Sequence, residues 1–314
     1  MIIKTKSISK KNNEFVEFKK EMKRNGTLYL LVLPVIIFYL IFAYKPMYGA
    51  LIAFQNYSVG KGFLGSEWVG FEHFKNFFNS PDFIRVLSNT LRINIVNLIF
   101  GFPMPIILAL MLNEVRNNRF KKIAQTVTYL PHFISLVVIC ALIRDFVGKD
   151  GVITTFFSLL GFENTNMLNN KNLFTPIYVI SDIWQTIGWN SIIYLAALTG
   201  VDTQLYEAAS LDGAGKWRQL IHVTIPGIMP TVITMLILKI GSLMGLGYEK
   251  IILLYNPLIY ETSDVISSYV YRLAFSGQQW SYTTSIGLFN SIVNLILLIS
   301  VNKISKKVAD TSLW

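Results

Sequence analysis

Cysteine, histidine and charge are scarce in this sequence. Its 314 residues include a single cysteine, Cys140, which excludes an internal disulfide and any cysteine-rich zinc or iron–sulfur site. The three histidines, His73, His132 and His222, lie far apart and form no HExxH pair, so this zinc-hydrolase motif is missing. Only 15% of the residues are charged, against about 25% in a typical soluble domain, which excludes an ordinary soluble enzyme.

The sequence is rich in apolar residues. They make up 53% of the chain, and the mean hydropathy is +0.47. The 28 Lys and Arg residues outnumber the 18 Asp and Glu residues, which gives a net charge of +10. In a soluble protein such a charge would suggest a nucleic-acid partner. The apolar fraction indicates instead a membrane protein whose basic residues lie on one side.

Six segments are long and apolar enough to cross a hydrocarbon layer of about 30 Å as helices. They cover residues 27–44, 89–113, 123–147, 173–198, 231–254 and 282–301. We therefore expect an all-α, polytopic membrane protein with six transmembrane helices. The transmembrane domain then covers residues 27–301, between a basic tail (1–26) and a C-terminal tail (302–314).

The basic residues are unevenly divided between the two sides of such a protein. The two tails and the loops on their side carry 17 of the 28 basic residues, and the opposite segments carry 7, with acidic residues almost evenly split. The positive-inside rule therefore predicts that both termini are cytoplasmic.

Three segments outside the spans also predict structure. Residues 45–88 are too long for a simple turn and are expected to form a small external cap. Residues 152–160 are too short to cross and predict an interfacial or re-entrant helix. Residues 14–24 predict a basic helix with an apolar stripe that suits a membrane surface. The stripe consists of Phe15, Phe18 and Met22.

The loop at residues 199–228, between the fourth and fifth spans, is predicted to contain more secondary structure than a simple connection between two helices requires. Asp202 precedes a helical pattern and is placed to cap it. Gly213 allows a bend, and a second run at residues 217–223 is expected to end at Pro226. The loop therefore predicts two short cytoplasmic helices joined by a glycine bend.

This loop matches the EAA pattern E-A-A-x(3)-G-x(9)-I-x-L-P. Val223 and Ile225 replace the Ile and Leu of the pattern. The chain thereby resembles the permease subunits of binding-protein-dependent ABC importers, in which this loop docks onto a cytoplasmic ATPase. The resemblance implies a coupling role for Glu207, Ala208, Ala209, Asp212, Gly213, Ile225 and Pro226.

The resemblance extends over nearly the whole chain. The segments YKPMYGALIAF (44–54), QTVTYLPHFIS (125–135) and SLW (312–314) are similar to the subgroup that transports oligosaccharides or polysaccharide fragments, which includes the larger maltose permease subunit. It implies a type I ABC importer permease fold in the plasma membrane of a bacterium. It also implies a heterodimer with a second homologous permease, two copies of a cytoplasmic ATPase and an extracellular solute-binding protein.

The chain has no nucleotide site of its own. The nearest approach to a Walker A motif is SLDGAGKW, which has Ser210 in place of the first glycine and Trp217 in place of the magnesium-binding Ser or Thr. We therefore expect no catalytic residue, no metal site and no bound cofactor in this chain. ATP and magnesium would belong to the partner ATPase.

Polar residues inside two spans predict a surface that faces the substrate. They recur at i, i+3 and i+7, and the two helices are antiparallel, so the two faces can meet at similar depth. The residues are Asp182, Gln185 and Trp189 on the fourth span and Ser242, Gly245 and Glu249 on the fifth. The resemblance aligns these faces with the sugar-contacting positions of the family, with carboxylates where amides are expected. The alternative is that these residues only hold helices together.

Other polar residues in the spans predict helix pairing. Asp182 and Lys239 are each about 15 Å deep, where an unpaired charge costs about 2.5–3.5 kcal/mol. They are expected to pair, or each to face the cavity of a partner subunit. Interhelical hydrogen bonds are expected from Asn94, Asn97, Asn290 and Asn294.

Two other functions stay open at this point. One is an ABC permease for a different solute, such as a peptide, which competition between sugars and peptides would reveal. The other is an ion-coupled secondary transporter, which usually has more spans or an inverted repeat and would respond to ion gradients rather than to ATP.

Overall fold

A computed structural model describes residues 20–21, 24–309 and 311–314. The apolar stripe of the expected interfacial helix, at Phe15, Phe18 and Met22, lies outside the described residues. The helices are α1 (Gly26–Phe54), α2 (Gly62–Gly65), α3 (Glu72–Phe78), α4 (Pro81–Glu114), α5 (Asn118–Phe133), α6 (Leu136–Val147), α7 (Val152–Leu159), α8 (Phe174–Thr199), α9 (Thr203–Leu211), α10 (Lys216–Gly241), α11 (Tyr248–Leu254), α12 (Tyr260–Ser263), α13 (Ile266–Gly277) and α14 (Trp280–Ala309).

Extended structure among the described residues is limited to one small hairpin. Strands β1 (Gln55–Asn56) and β2 (Glu67–Trp68) pair antiparallel within the segment expected to form a cap. Single 3-10 turns occur at Met167–Asn169 and Pro257–Ile259. The all-α fold class is therefore confirmed, and the short helix expected at residues 152–160 is present as α7.

Four of these helices, α1, α4, α10 and α14, are long and apolar enough to cross a membrane. The bent pair formed by α5 and the following α6–α7 segment gives a fifth if it counts as one span. Helix α8 has 26 residues and a length of about 39 Å, but no stretch of it is as apolar as the most apolar stretch of each of those four helices. The six predicted spans all fall on helices, but two of them are not single helices.

The third predicted span, residues 123–147, is wrong as a single helix. Its two arms are bent by 101° at an elbow, residues 130–135. Pro131 lies in the 3-10 turn that ends α5, and it removes a helical hydrogen-bond donor. The Ser135 hydroxyl accepts a hydrogen bond from the Val138 amide at 3.4 Å and caps α6.

The fifth predicted span, residues 231–254, is also wrong as a single helix. Helix α10 ends at Gly241, and α11 begins only after an irregular turn. Gly245 and Gly247 lie in that turn, and glycine favours helix interruption because it loses more conformational entropy than other residues. The sequence did not predict this break, because the segment is apolar on both sides of it.

The turn between α10 and α11, residues 242–247, is held by side chains from two other helices. The Asn294 side chain of α14 accepts a hydrogen bond from the Met244 amide at 2.9 Å. The Ser267 hydroxyl of α13 donates to the Leu246 carbonyl at 2.7 Å. These bonds replace the helical hydrogen bonds that the turn lacks, which matters because the membrane interior contains no water to bind the free backbone groups.

Each π-helical turn of the described chain ends two residues before a proline. The π-turns are Leu40–Tyr44, Asn97–Gly101 and Leu220–Thr224, and the prolines are Pro46, Pro103 and Pro226. Proline has no amide hydrogen and its ring collides with the carbonyl four residues earlier, so a wider turn lets the helix continue. The prediction that Pro226 ends a helix is therefore wrong, because α10 runs through it.

The interior and the first helix differ sharply in burial. Ile93, Phe174 and Ile251 are fully buried where α4, α8 and α11 meet. Helix α1 packs against α14 through Tyr48–Phe54, whereas its residues 26–47 are all exposed. An apolar helical segment with this exposure is consistent with an interface to another subunit or to lipid.

Candidate functional site

Helix α9 and the start of α10 form the loop predicted to couple to an ATPase. The Asp202 carboxylate accepts a hydrogen bond from the Gln204 amide at 2.9 Å, so the predicted helix cap is confirmed. Gly213 follows α9 with a φ of +73°. A side chain at that φ costs about 1–2 kcal/mol, and glycine avoids the cost. The glycine bend therefore turns the chain from α9 into α10.

Two side-chain contacts fix α9 against α10. The Tyr206 hydroxyl and the Thr224 hydroxyl are 2.9 Å apart. The Gln219 amide donates to the Ser210 hydroxyl at 2.9 Å. Because both bonds join the two helices, we expect α9 and the first turns of α10 to move as one unit.

The outer surface of this unit is exposed and partly apolar. Leu211 is 90% exposed and Trp217 is 73% exposed. Exposed apolar side chains with polar neighbours are typical of a protein-binding surface. Among the predicted coupling residues, Glu207, Ala208, Asp212, Gly213 and Pro226 are exposed, and Ala209 and Ile225 are half-buried.

The Asp182 carboxylate on α8 binds two groups of its own chain. One oxygen accepts a hydrogen bond from the Asn97 amide at 3.0 Å, and the other lies 3.4 Å from the Lys250 ammonium. Lys250 is buried and also lies 4.8 Å from the centre of the Tyr178 ring. The predicted pairing of Asp182 with Lys239 is therefore wrong, because the break after α10 folds α11 back and brings Lys250 to α8.

The Lys239 ammonium makes no hydrogen bond or ion pair with any residue that the structure describes, and Lys239 is exposed. On α10, Ile228, Val232 and Met235 pack against a cluster that includes Tyr194 of α8. Lys239 follows one turn beyond Met235 on the same face. Lys239 therefore lies on the side of α10 that faces α8, at a position where this side is exposed.

Trp189 on α8 lies against the elbow. Its ring is stacked on the His132 ring, with 4.5 Å between centroids and 5° between planes. The Phe133 ring meets it edge-on at 5.7 Å, and Trp189 remains 44% exposed. Sequence reasoning missed His132 as a neighbour of the site, because the contact joins helices that are distant in sequence.

The other predicted substrate residues are accessible but do not share one helical face. Gln185 on α8 is half-buried, and its side chain makes no hydrogen bond within the described part of the chain. Ser242 and Gly245 are exposed in the turn 242–247, and Glu249 is exposed in the first turn of α11. The predicted i, i+3, i+7 face on the fifth span is therefore wrong, because the helix is interrupted there.

The four asparagines expected to join helices behave differently from one another. Asn97 and Asn294 bind other elements, as predicted. Asn94 donates to the Thr90 carbonyl of its own helix at 2.9 Å. The Asn290 side-chain oxygen is buried without a partner among the described residues.

A buried carboxylate that the sequence did not single out ties α13 to α4. Asp264 is fully buried and receives two hydrogen bonds from Arg272, at 2.7 and 3.1 Å. It also accepts from Arg85 of α4 at 3.2 Å and from Ser268 at 2.8 Å. Burial alone would lower the pKa of Arg272, but hydrogen bonding to Asp264 outweighs it and raises that pKa.

A cavity of about 690 Å³ lies between α6, α7 and α8. Its walls include Phe146, Phe157 and Trp184 and are mostly apolar. None of the six predicted substrate residues lines it. A ligand rich in hydroxyl groups would find few hydrogen-bond partners there, so this cavity is unsuited to a sugar.

Residues 101–310 match the family model "Binding-protein-dependent transport system inner membrane component". The chain is 43% identical over 300 residues to Protein LplB of Bacillus subtilis, covering 95% of this chain and 94% of that protein. It is 44% identical over 308 residues to the polygalacturonan/rhamnogalacturonan transport system permease protein YteP of the same organism, covering 95% and 96%.

A solved structure is similar over nearly the full length. It is a chain of a bacterial alginate ABC transporter in complex with an alginate pentasaccharide-bound periplasmic protein. The TM-score is 0.86 and the identity is 42%, with 94% of this chain and 99% of that chain covered. A chain of the MetNI methionine ABC transporter, at 13% identity and a TM-score of 0.52, shares the fold alone.

Proposed function

Since the chain belongs to the family of binding-protein-dependent transport system inner membrane components, we propose that it carries an oligosaccharide or polysaccharide fragment across the membrane. The chain is a multi-pass permease subunit of an ABC importer and not an enzyme. The observation that carries the sugar assignment is identity of 42–44% over nearly the whole chain to permeases whose names specify polysaccharides.

One cation beside the proposed site, Lys239, favours an acidic saccharide. Lys239 is exposed and its ammonium has no partner among the described residues, and an unpaired lysine within an apolar span is costly. A uronate carboxylate would pair with it. Two of the similar proteins are named for the transport of polygalacturonan/rhamnogalacturonan and of alginate. Trp189 and Gln185 on α8 and Glu249 on α11 would then bind sugar rings and hydroxyl groups.

Asp182, Ser242 and Gly245 complete the proposed site. The Asp182 side chain is 24% exposed and is paired with Lys250. Only a small part of its carboxylate would therefore be available to accept a hydrogen bond from a sugar hydroxyl group. The exposed Ser242 and Gly245 lie in the turn 242–247, where glycine leaves room for a ring to approach. The site is therefore a mixed surface on α8 and on the broken segment between α10 and α11.

Uptake by cells that express the complete transporter tests this cargo. The probe is radiolabelled trigalacturonate, with unlabelled trigalacturonate, maltotriose and a tripeptide as competitors. We expect trigalacturonate to compete best and the tripeptide not to compete. Lys239→Met should lower uptake about tenfold, since a hydrogen bond to a charged group contributes about 1.5–3 kcal/mol, and Lys239→Arg should retain most of it.

Two results would contradict the cargo assignment. Competition by the tripeptide would favour a different solute. Equal competition by maltotriose, together with unchanged uptake in Lys239→Met, would support a sugar cargo but contradict the proposal that this sugar is acidic. Copurification of the other subunits with Lys239→Met provides the control for assembly.

The partners we propose are a second homologous permease, two copies of a cytoplasmic ATPase and an extracellular binding protein. The exposed segment of α1 supports the second permease, because residues 26–47 are apolar and all exposed. The exposed Leu211 and Trp217 beside Glu207 support an ATPase at the α9–α10 unit. In this arrangement both termini are cytoplasmic and the membrane is the plasma membrane of a bacterium.

Copurification in a mild detergent tests the ATPase contact. Tagged wild-type chain should bring down a soluble ATPase and a second multi-span protein. Glu207→Lys and Gly213→Trp should release the ATPase and retain the second permease. If the ATPase remains bound to both variants, α9 is not its docking site.

A further inference from the structure

One face of the Trp189 indole is covered by the chain itself. The His132 ring lies parallel to it, with 4.5 Å between centroids and 5° between planes. The Phe133 ring stands at 88° to it, against its edge. Trp189 is nevertheless 44% exposed. The indole face opposite His132 is therefore the one that a ligand can reach.

The backbone next to this stack is closely packed. A Cβ atom added to Gly188 would collide with the Thr128 carbonyl oxygen of α5. Pro131 in the elbow is buried. Because α8 and the elbow touch here, the positions of the His132 and Trp189 backbones are fixed relative to each other.

We propose that His132 is a positioning residue that holds the Trp189 indole so that its free face receives one sugar ring of the cargo. The inference rests on the proposed function. The face of an aromatic ring is electron-rich and attracts the C–H groups on the apolar face of a pyranose. His132 does not touch the sugar. It selects one indole orientation among the rotamers that an exposed tryptophan otherwise samples.

Equilibrium binding to the complete purified transporter tests this role. The probe is radiolabelled trigalacturonate, without binding protein, so that only the membrane site is measured. His132→Ala should raise the Kd about three- to tenfold, the range expected for one aromatic pair, with the other subunits still copurifying. His132→Phe, which retains a flat ring, should keep a Kd near the wild-type value.

A double variant separates positioning from a general structural role. If His132 acts only through Trp189, the variant His132→Ala/Trp189→Ala should bind as weakly as Trp189→Ala alone. The inference is overturned if His132→Ala binds like wild type, if His132→Phe is as weak as His132→Ala, if the two effects add, or if His132→Ala loses the other subunits. Failure of the wild-type transporter to bind trigalacturonate or labelled maltotriose would instead overturn the proposed function.

Discussion

At the residue scale, two buried ion pairs bind the irregular segments to the long helices. Asp182 and Lys250 join α8 to α11, and Asp264 with Arg272 and Arg85 joins α13 to α4. Neither pair was predicted, because its members lie in different segments whose relative positions depend on the breaks in the helices. Removing one partner of such a pair leaves the other charge buried, which costs more than the pair contributes.

Asp182→Asn should destabilise the protein strongly. It leaves Lys250, which is 5% exposed, without an opposite charge, at a cost of about 3 kcal/mol. The double variant Asp182→Asn/Lys250→Met should recover most of that loss, since no charge is then stranded. The melting temperature of the purified protein measures both. Lys250→Met alone provides the comparison. If the double variant loses as much stability as the two single variants together, the two side chains do not pair directly.

Asp264→Asn should also lower the melting temperature. The substitution keeps the shape of the side chain and removes the charge that Arg272 and Arg85 share, at a cost of about 3 kcal/mol. That is the low end for such pairs, because Arg272 is 27% exposed. Glu261→Gln is the matched control, since its ion pair with Lys171 is exposed on both sides and should contribute less than about 1 kcal/mol. Similar losses in the two variants would contradict the account.

At the element scale, prolines and glycines decide where the helices bend, break or continue. Pro131 ends α5 at the elbow, whereas Pro226 lies within α10 behind a π-turn. Apolar runs and helix caps were sufficient to predict the helical class, the cap at Asp202 and the helix at residues 152–160. They did not show the break at residues 242–247, because a turn of apolar residues looks like part of a span until side chains from other helices are in place.

Gly188→Ala should separate α8 from α5. The added Cβ meets the Thr128 carbonyl oxygen, which is backbone and has little freedom to move, so we expect a loss of about 1–3 kcal/mol. The matched control is Gly287→Ala in α14, where no atom lies within 4 Å of the added Cβ and helix propensity favours alanine by up to about 1 kcal/mol. A melting temperature that falls equally for both variants would contradict the steric argument.

Gly213→Ala should weaken the turn between α9 and α10. Alanine at a φ of +73° costs about 1 kcal/mol, although open space surrounds the position. Asparagine adopts this φ more easily, so Gly213→Asn should bind the ATPase better than Gly213→Ala does. Titration of the transporter with purified ATPase provides the measurement. If both variants bind equally, the backbone conformation at Gly213 is not what the docking surface requires.

At the scale of the whole molecule, the single chain has surfaces that only an assembly explains. They are residues 26–47 of α1, the face of α10 at Lys239 and the apolar surface around Trp217, and all three are exposed. Motif spacing was enough to predict the family, because the motif depends on local sequence. The coupling role of its loop stays a prediction. The contacts of the proposed substrate site were only partly predictable, since Trp189 meets His132 and Asp182 meets Lys250 through long-range packing.

ATP-dependent uptake into proteoliposomes is the sharpest test of the proposed import function. The vesicles contain the chain with its proposed partner subunits, the binding protein is added outside and ATP is enclosed within, and radiolabelled trigalacturonate is the cargo. We predict accumulation that requires ATP and binding protein and persists when ionophores dissipate ion gradients. Accumulation that proceeds without ATP and stops with the ionophores would contradict the account, as would uptake of a labelled tripeptide in place of the sugar.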